Sequence, residues 1–442
     1  MRRETRVLGS VAIVALLLGL AAGAGAEGPG GPAATRVSPT VGADFRVSGP
    51  GATSGENWGA VAWNGTANEY LVVWSDSRNE ATRGSDIYGR RVSAAGAPLG
   101  ADFRISGPGA TADDWYTAVA WNGTANEYLV VWTDERKEST RGSDVYGRRV
   151  SAAGATVGAD FRISGPGATR DDGVPDVAWN GTANQYLVVW ADFRSESTRG
   201  EDIYGRRVSA AGAPVGADFR ISGPAATADD WYPVVAWGAT ANQYLVVWTD
   251  RRNEATRGGE IYGRRVSAAG AAMGLDFRVS GAGATSNEDW PSVAWNGTDN
   301  EYLVVWQDER DSTTRGLDIY GQRVSAAGAM TGAEFRISSP GATWNEGVPA
   351  VAWNSRANRY LVVWDDDRDM ATRGWDVYGR RMSAAGVAAG AEFRISGPGA
   401  TADEWKPAVA WNGTAGQYLV VRADDRDELT RGWDIYARRV AG

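Results

Sequence analysis

Seven copies of a 58-residue unit follow one another along this chain, and they predict an all-β fold, a closed seven-bladed β-propeller. Each unit carries four short strand patterns separated by turn signals. The array opens with a lone fourth strand and closes after a third one, so one unit is divided between the two ends. The repeat is marked by Val-Ala-Trp, with tryptophans at Trp63, Trp121, Trp179, Trp237, Trp295, Trp353 and Trp411.

The amino terminus has the three parts of an export signal. A basic start precedes an apolar run from Val11 to Leu20, and small residues end at Ala26. We expect residues 1–26 to be a signal peptide, residues 27–43 a tail and residues 44–442 the propeller. No later segment is long and apolar enough to span a bilayer, so the sequence predicts a secreted or periplasmic protein without a membrane span after cleavage.

Four strands, A to D, are predicted in each unit, here described for the first. Strand A is Val61–Trp63, and an Asn-Gly turn signal follows it. Strand B is Tyr70–Trp74, whose unbroken apolar character predicts burial on both faces. Strand C starts at Ile87, and strand D, Phe103–Ser106, alternates apolar with polar residues. Five A–B turns also read Asn-x-Thr, which we interpret as turn chemistry rather than as glycan acceptors: Asn64, Asn122, Asn180, Asn296 and Asn412.

Closure of the ring follows from the ends of the array. Separate 58-residue units without disulfides would bury too small a core to be stable, and an open solenoid would need polar end caps that the sequence lacks. We therefore expect the first strand, Phe45–Ser48, to pair with the last, Ile435–Val440, and to complete the seventh blade.

One stretch of each unit carries a family resemblance. Strand B, then Trp-Ser-Asp-Ser-Arg at Trp74–Arg78 and Asp-Ile-Tyr at Asp86–Tyr88, resembles the repeats of TolB-type, WD40-like propellers. The A–B turn departs from that family's Pro-Asp-Gly type, and the B–C loop is longer by Thr82–Gly84. The resemblance implies a propeller fold and a role as a scaffold for protein contacts.

Composition excludes most catalytic chemistry. The chain contains no cysteine and no histidine, which removes thiolate nucleophiles, Cys-ligated metals and the commonest general base. Cleavage of glycosides by paired carboxylates remains available. A net charge of −9 makes nucleic acid an unsuitable partner.

Acids and arginines recur on the predicted D–A and B–C loops of all seven units. One interpretation is a ring of clusters that bind Ca²⁺ or glycan hydroxyls. The other, which the equal supply of arginine favours, is structural ion pairing, and on it we expect no cofactor. The repeated residues are Glu56, Asp76 and Arg78; Asp114, Asp134 and Arg136; Asp172, Asp192 and Arg194; Asp230, Asp250 and Arg252; Glu288, Asp308 and Arg310; Glu346, Asp366 and Arg368; Glu404, Asp424 and Arg426.

A function that occurs once should lie where the units differ. The residue after Thr-Arg-Gly varies most, reading Ser85, Ser143, Glu201, Gly259, Leu317, Trp375 and Trp433 in chain order. Units six and seven together carry an excess of loop tryptophan, which indicates a binding patch or, alternatively, tryptophans that only cover the blade ends. Arg422 replaces the strand-B tryptophan and either repairs the closure or joins this patch. The candidate binding residues are Trp344, Trp375, Trp405, Trp433 and Arg422.

The leading expectation is a monomeric, non-enzymatic propeller that binds a protein or a surface glycan through the D–A and B–C loop face. A multivalent lectin is the alternative. A carboxylate glycosidase in the central channel comes last, because no unique pair of acids stands out among the repeated ones.

Overall fold

A computed structural model describes residues 39–442 except positions 52, 53, 168, 282, 284 and 342. The predicted signal peptide lies outside the described residues. The described part of the chain forms one compact unit, Pro39–Gly442.

The described residues contain 28 strands. In chain order they are β1 (Thr40–Arg46), β2 (Glu56–Asn64), β3 (Glu69–Asp76), β4 (Asp86–Ser93), β5 (Pro98–Arg104), β6 (Asp114–Asn122), β7 (Glu127–Asp134), β8 (Asp144–Ser151), β9 (Thr156–Arg162), β10 (Asp172–Asn180), β11 (Gln185–Asp192), β12 (Asp202–Ser209), β13 (Pro214–Arg220), β14 (Asp230–Gly238), β15 (Gln243–Asp250), β16 (Glu260–Ser267), β17 (Ala272–Arg278), β18 (Glu288–Asn296), β19 (Glu301–Asp308), β20 (Asp318–Ser325), β21 (Met330–Arg336), β22 (Glu346–Asn354), β23 (Arg359–Asp366), β24 (Asp376–Ser383), β25 (Phe393–Arg394), β26 (Glu404–Asn412), β27 (Gln417–Asp424) and β28 (Asp434–Ala441).

Each B–C loop holds one four-residue helix that the sequence analysis did not predict. The helices are α1 (Glu80–Arg83), α2 (Glu138–Arg141), α3 (Glu196–Arg199), α4 (Glu254–Arg257), α5 (Ser312–Arg315), α6 (Met370–Arg373) and α7 (Glu428–Arg431).

The strands form seven antiparallel four-stranded sheets, and the predicted seven-bladed β-propeller is confirmed. Blades 1 to 6 each take four consecutive strands, from β2–β5 to β22–β25, while blade 7 combines β26, β27 and β28 with β1. In that last sheet Phe45 lies opposite Ala437 and Arg46 opposite Tyr436, as the closure argument requires. The inner strand β2 of blade 1 also contacts β26 of blade 7, which completes the ring.

The hydrophobic core lies between neighbouring blades. Strand B is buried along its whole apolar run, from Tyr70 to Trp74 in blade 1. Leu71 and Val73 of blade 1 share one cluster with Tyr128 and Trp132 of blade 2, and the other interfaces repeat this arrangement. Because each blade covers one face of the next strand B, the unbroken apolar pattern is explained by packing on both sides.

Asparagine side chains form hydrogen bonds within and between the A–B turns. Asn64 is fully buried, its Oδ1 accepts the N–H groups of Thr66 and Ala67 at 2.9 Å, and its Nδ2 donates to Asn126 of the next blade at 2.9 Å. This side chain is occupied by the turn and by an inter-blade bond, so the geometry fits the turn interpretation of the Asn-x-Thr sequences.

Candidate functional site

A row of three acidic side chains crosses the loop-rich end of each blade. In blade 1 Glu56 of β2 lies opposite Asp76 of β3, and Asp76 lies opposite Asp86 of β4. All three are buried. The D–A and B–C loops therefore share one face, as the strand order predicts.

One arginine joins the middle acid of the row to an acid of the fourth strand. Arg78 Nη2 lies 2.6 Å from Asp76 Oδ2 and 2.6 Å from Asp102 Oδ2 of β5, and its guanidinium stacks 4.0 Å above the Tyr88 ring. The same arginine joins the strand-B aspartate to a strand-D acid in the other blades: Arg136 with Asp134 and Asp160, Arg194 with Asp192 and Asp218, Arg252 with Asp250 and Asp276, Arg310 with Asp308 and Glu334, Arg368 with Asp366 and Glu392, Arg426 with Asp424 and Asp44.

The inner acid of each row keeps its proton more strongly than an ordinary carboxyl. Burial, followed by the charge of Asp76, raises the pKa of Glu56 to about 9, and Glu56 Oε2 accepts the N–H of Ile435 from blade 7. Among the described residues, no group of three or more acidic side chains has the arrangement of a metal site. The pKa is raised in all seven blades, at Glu56, Asp114, Asp172, Asp230, Glu288, Glu346 and Glu404.

Arg422 belongs to the closure and not to a surface. Its side chain is completely buried in blade 7, where Nε lies 2.7 Å from Glu404 Oε1 and Nη2 lies 3.2 Å from Asp44 Oδ2. Since Asp44 is part of β1, this arginine ties the first strand to the last blade. Of the two interpretations of Arg422, repair of the closure is the one that fits.

The loop tryptophans of blades 6 and 7 come together in part. The ring centroids of Trp375 and Trp405 are 5.1 Å apart, and Trp344 is 42% exposed. Trp433 instead packs against the core cluster between blades 7 and 1. The structure thus brings together Trp375 and Trp405, and places Trp433 at a blade interface.

Aromatic side chains meet on the propeller axis, and the sequence analysis missed them. Each inner strand changes register after its second residue, and the third residue of each strand has a positive φ. This is a β-bulge, which re-aims a side chain. The seven bulge residues are Trp58, Tyr116, Val174, Tyr232, Trp290, Val348 and Lys406.

Contacts between distant blades locate this cluster. Trp58 of blade 1 stacks on Trp290 of blade 5 with centroids 6.3 Å apart, and it lies 4.2 Å from Tyr116. Trp290 stacks at 3.9 Å on Tyr232, and Lys406 Nζ lies 3.1 Å from the Trp58 ring. Blades 1 and 5 are not neighbours, so these five residues meet at the mouth of the central channel. We call them the channel mouth.

Two acids that occur only once lie beside the channel mouth. Glu201 precedes β12, and Asp289 is the second residue of β18. Arg251 connects them, because its Nη2 is 3.9 Å from Asp289 Oδ2 while its guanidinium lies 4.2 Å above the ring of Trp231. Trp231 in turn donates a hydrogen bond to Glu201. Both acids and Arg251 also influence the pKa of Tyr232 in the channel mouth.

Burial raises the pKa of both acids. Glu201 is only 7% exposed, and burial raises its pKa to about 9, with a further increase from Asp229. Burial also raises the pKa of Asp289, and the nearby Arg251 charge opposes this shift only in part. Within the described part of the chain, Glu201 Oε2 and Asp289 Oδ1 have no hydrogen-bond partner. Two unrepeated carboxyl groups, each with an oxygen that has no partner, are groups that acid–base catalysis can use.

Two further unrepeated acids support the backbone. Asp176 Oδ2 accepts the N–H of Val235 at 2.7 Å, and burial raises the pKa of Asp176 to about 6. Asp365 Oδ2 accepts the N–H of Lys406 at 3.1 Å. Each binds the inner strand of the next blade and so acts as a positioning group.

Comparison with known proteins identifies the fold. No protein-family model matches the chain, and no curated protein matches it. Among solved structures, it is similar to the α-L-arabinofuranosidase of Fusarium graminearum in complex with an iminosugar inhibitor, with 13% identity, a TM-score of 0.50, and 74% of this chain and 93% of that chain covered. It is also similar to an α-L-arabinanase of Penicillium chrysogenum complexed with arabinobiose, with 13% identity, a TM-score of 0.49, and 73% of this chain and 92% of that chain covered. For a mutant puromycin hydrolase complexed with PGG the identity is 16%, the TM-score is 0.50, and 85% of this chain and 51% of that chain are covered.

These matches correct the predicted function. The prediction of a non-enzymatic scaffold is contradicted, because a propeller of this fold is a glycosidase, the class that the sequence analysis places last. The sequence analysis ranked a glycosidase last because it found no unique pair of acids. Glu201 and Asp289 are acids that occur once, and they lie beside the channel mouth. At 13–16% identity the similarity shows the fold alone, so the TolB-type resemblance is confirmed only as a propeller.

In the part of the chain that the structure describes, no helix has the length and apolar character needed to cross a membrane.

Proposed function

We propose that this chain is a glycoside hydrolase whose active site is the channel mouth together with Glu201 and Asp289. One observation carries the proposal: two unrepeated buried acids adjoin the same Arg251–Trp231 pair at the axis of a propeller, Asp289 beside the guanidinium and Glu201 beside the indole. A sevenfold motif cannot supply one acid and one base, whereas this pair can.

The roles follow from the surroundings of the two acids. Glu201, protonated at neutral pH, donates its proton to the oxygen of the departing sugar. Asp289, whose carboxylate form the Arg251 charge favours against burial, supports the positive charge that develops on the sugar ring or activates the attacking group. Trp231 holds the Glu201 carboxyl by its hydrogen bond. The half-buried ring of Trp290, with Tyr232 stacked against it, offers a flat apolar surface for the sugar.

The first substrates to test are α-L-arabinofuranosides. The similar arabinofuranosidase was solved with an iminosugar inhibitor, which makes this sugar the natural starting point. The basic and apolar pattern of residues 1–26 supports export, so we place the reaction outside the cytoplasm. We also propose that the repeats share their origin with those of TolB-type propellers, on the basis of the resemblance in the stretch from strand B to strand C.

The test is turnover of a panel of chromogenic glycosides that includes arabinofuranosides, galactosides and sialosides. We expect activity that falls at least about 100-fold in Glu201→Gln and in Asp289→Asn, as loss of an acid or base commonly produces. Glu346→Gln is the matched control, because it removes another buried carboxyl with a raised pKa from blade 6. Full activity in Glu201→Gln, or turnover of no glycoside between pH 4 and 9, would refute the proposal.

A further inference from the structure

The loops of blades 6 and 7 form an apolar surface beside the channel mouth. The rings of Trp375 and Trp405 are 5.1 Å apart with their planes inclined by 32°, and Trp344 is 42% exposed. The adjoining helices expose Met370 by 50% and Leu429 completely. We call Trp375 and Trp405 the outer platform.

The other blades do not repeat this surface. Where blade 6 has Met370, four of the other blades carry an exposed glutamate, as at Glu80. Where it has Trp375, blades 1 and 2 have Ser85 and Ser143. An apolar surface confined to two adjacent blades of a regular ring is a local feature, and the packing of the ring does not require it.

Unused hydrogen-bonding atoms accompany these rings. Among the described residues, Trp405 Nε1, Arg373 Nη1 and Asp425 Oδ1 are buried and have no hydrogen-bond partner. Arg373 ends α6, two residues before Trp375, and the Trp375 N–H donates to Asp403 of blade 7 at 2.8 Å. Flat indoles next to unsatisfied donors and acceptors match a sugar residue, which has an apolar face and a rim of hydroxyls.

The outer platform is continuous with the active site proposed above. Trp405 directly precedes Lys406, whose Nζ lies 3.1 Å from the Trp58 ring in the channel mouth. A glycan with its reacting residue at the channel mouth would therefore meet Trp405 first and then Trp375 as it extends toward the rim.

We propose that the outer platform binds the continuing chain of a polysaccharide substrate, so that this protein acts on a polymer and not on small glycosides alone. The inference rests on the proposed function for its position beside the reacting sugar. The binding itself does not depend on hydrolysis, and the two can fail separately.

Binding is tested by affinity electrophoresis of the full chain in gels that contain debranched arabinan, linear galactan or pectin. Wild type should be retarded by at least one of these polymers, and Trp375→Ala and Trp405→Ala should each weaken the binding about tenfold, because they remove one stacking ring. Trp115→Ala is the matched control: Trp115 has in blade 2 the position that Trp405 has in blade 7, and the blade before it carries Ser85 where blade 6 carries Trp375. Trp375→Phe keeps a ring and should bind, which distinguishes a lost contact from a lost fold.

The same variants are then measured for catalysis. With the polymer, Trp375→Ala should raise KM about tenfold and leave kcat unchanged, while a chromogenic monosaccharide glycoside should be cleaved as by wild type. Equal retardation of Trp375→Ala, Trp405→Ala and wild type would overturn the inference, as would wild type that no polymer retards, which is the outcome expected of a surface for a protein partner. Retardation without hydrolysis of any glycoside would support the outer platform and refute the proposed active site.

Discussion

A buried acid of the repeat provides a quantitative test of the structure through the pH dependence of stability. Glu346 is fully buried in blade 6, and burial, with the charge of Asp366 adding to it, raises the pKa of Glu346 to about 9. In the unfolded chain this pKa returns to about 4.5. Because the folded-state pKa is the higher one, the neutral carboxyl stabilises the fold fully below about pH 4.5, and this contribution is lost as the pH rises toward about 9.

The magnitude follows from linkage. Between these two pKa values each pH unit costs about 1.4 kcal/mol of folding free energy for one such group. Glu346→Gln keeps the shape of the neutral carboxyl and removes its titration. The difference in unfolding free energy, variant minus wild type, should therefore increase by about 3 kcal/mol from pH 5.5 to pH 8.

The assay is urea unfolding followed by tryptophan fluorescence at intervals of half a pH unit. Glu80→Gln is the control, since Glu80 is exposed on α1 and its removal should leave the pH profile unchanged. Parallel pH profiles for Glu346→Gln and wild type would refute the conclusion that this carboxyl is protonated in the folded state.

Three further predictions concern catalysis, closure and metal. The kcat/KM for the best glycoside should fall above about pH 9, as Glu201 loses the proton that it must donate, and a rate that still rises at pH 10 would contradict this role. Arg422→Met should lower the free energy of unfolding by about 3–5 kcal/mol, because the buried Glu404 would lose the guanidinium that lies 2.7 Å from it. Asp44 would lose one of its two arginines and keep Arg426. A change below about 1 kcal/mol in urea unfolding would exclude a closure role. The melting temperature should be the same with chelator and with added Ca²⁺, since arginines already pair with the repeated acids; an increase with Ca²⁺ in calorimetry would revive the metal interpretation.

The fold could be predicted because each unit repeats its own signal. The apolar run Tyr70–Trp74 indicated a strand covered on both faces, and the split unit at the chain ends indicated the pairing that Phe45 and Ala437 make. Strand A was predicted only as Val61–Trp63, whereas β2 begins at Glu56. The bulge at Trp58 interrupts the alternation of apolar and polar residues, so the pattern of period two fails there.

The candidate site was harder to predict because repetition drew attention to the wrong acids. Asp76 and Arg78 recur in every unit, and they pair with each other. Asp289 is the only acid at its position of the repeat, which holds Asn, Trp, Gly, Trp, Asp, Gly and Trp in the seven units. Comparing the units column by column for such exceptions would have found Asp289 and Glu201. It would not have shown that both adjoin Arg251, since only the ring geometry brings blades 3, 4 and 5 together.

The bulge explains how a regular ring can carry one irregular site. In three blades the preceding strand B fixes the N–H of the bulge residue: Thr133 accepts from Val174 at 3.1 Å, Gln307 from Val348 at 3.4 Å and Asp365 from Lys406 at 3.1 Å. A positive φ costs a residue other than glycine about 1–3 kcal/mol, so the backbone bonds and the blade packing must maintain it. These interactions hold the main chain, so they do not restrict which side chain stands at the bulge position. The bulge position can therefore hold Trp, Tyr, Val, Tyr, Trp, Val and Lys in chain order without change to the fold. Seven blades of the same backbone thus carry four different kinds of side chain at one equivalent position.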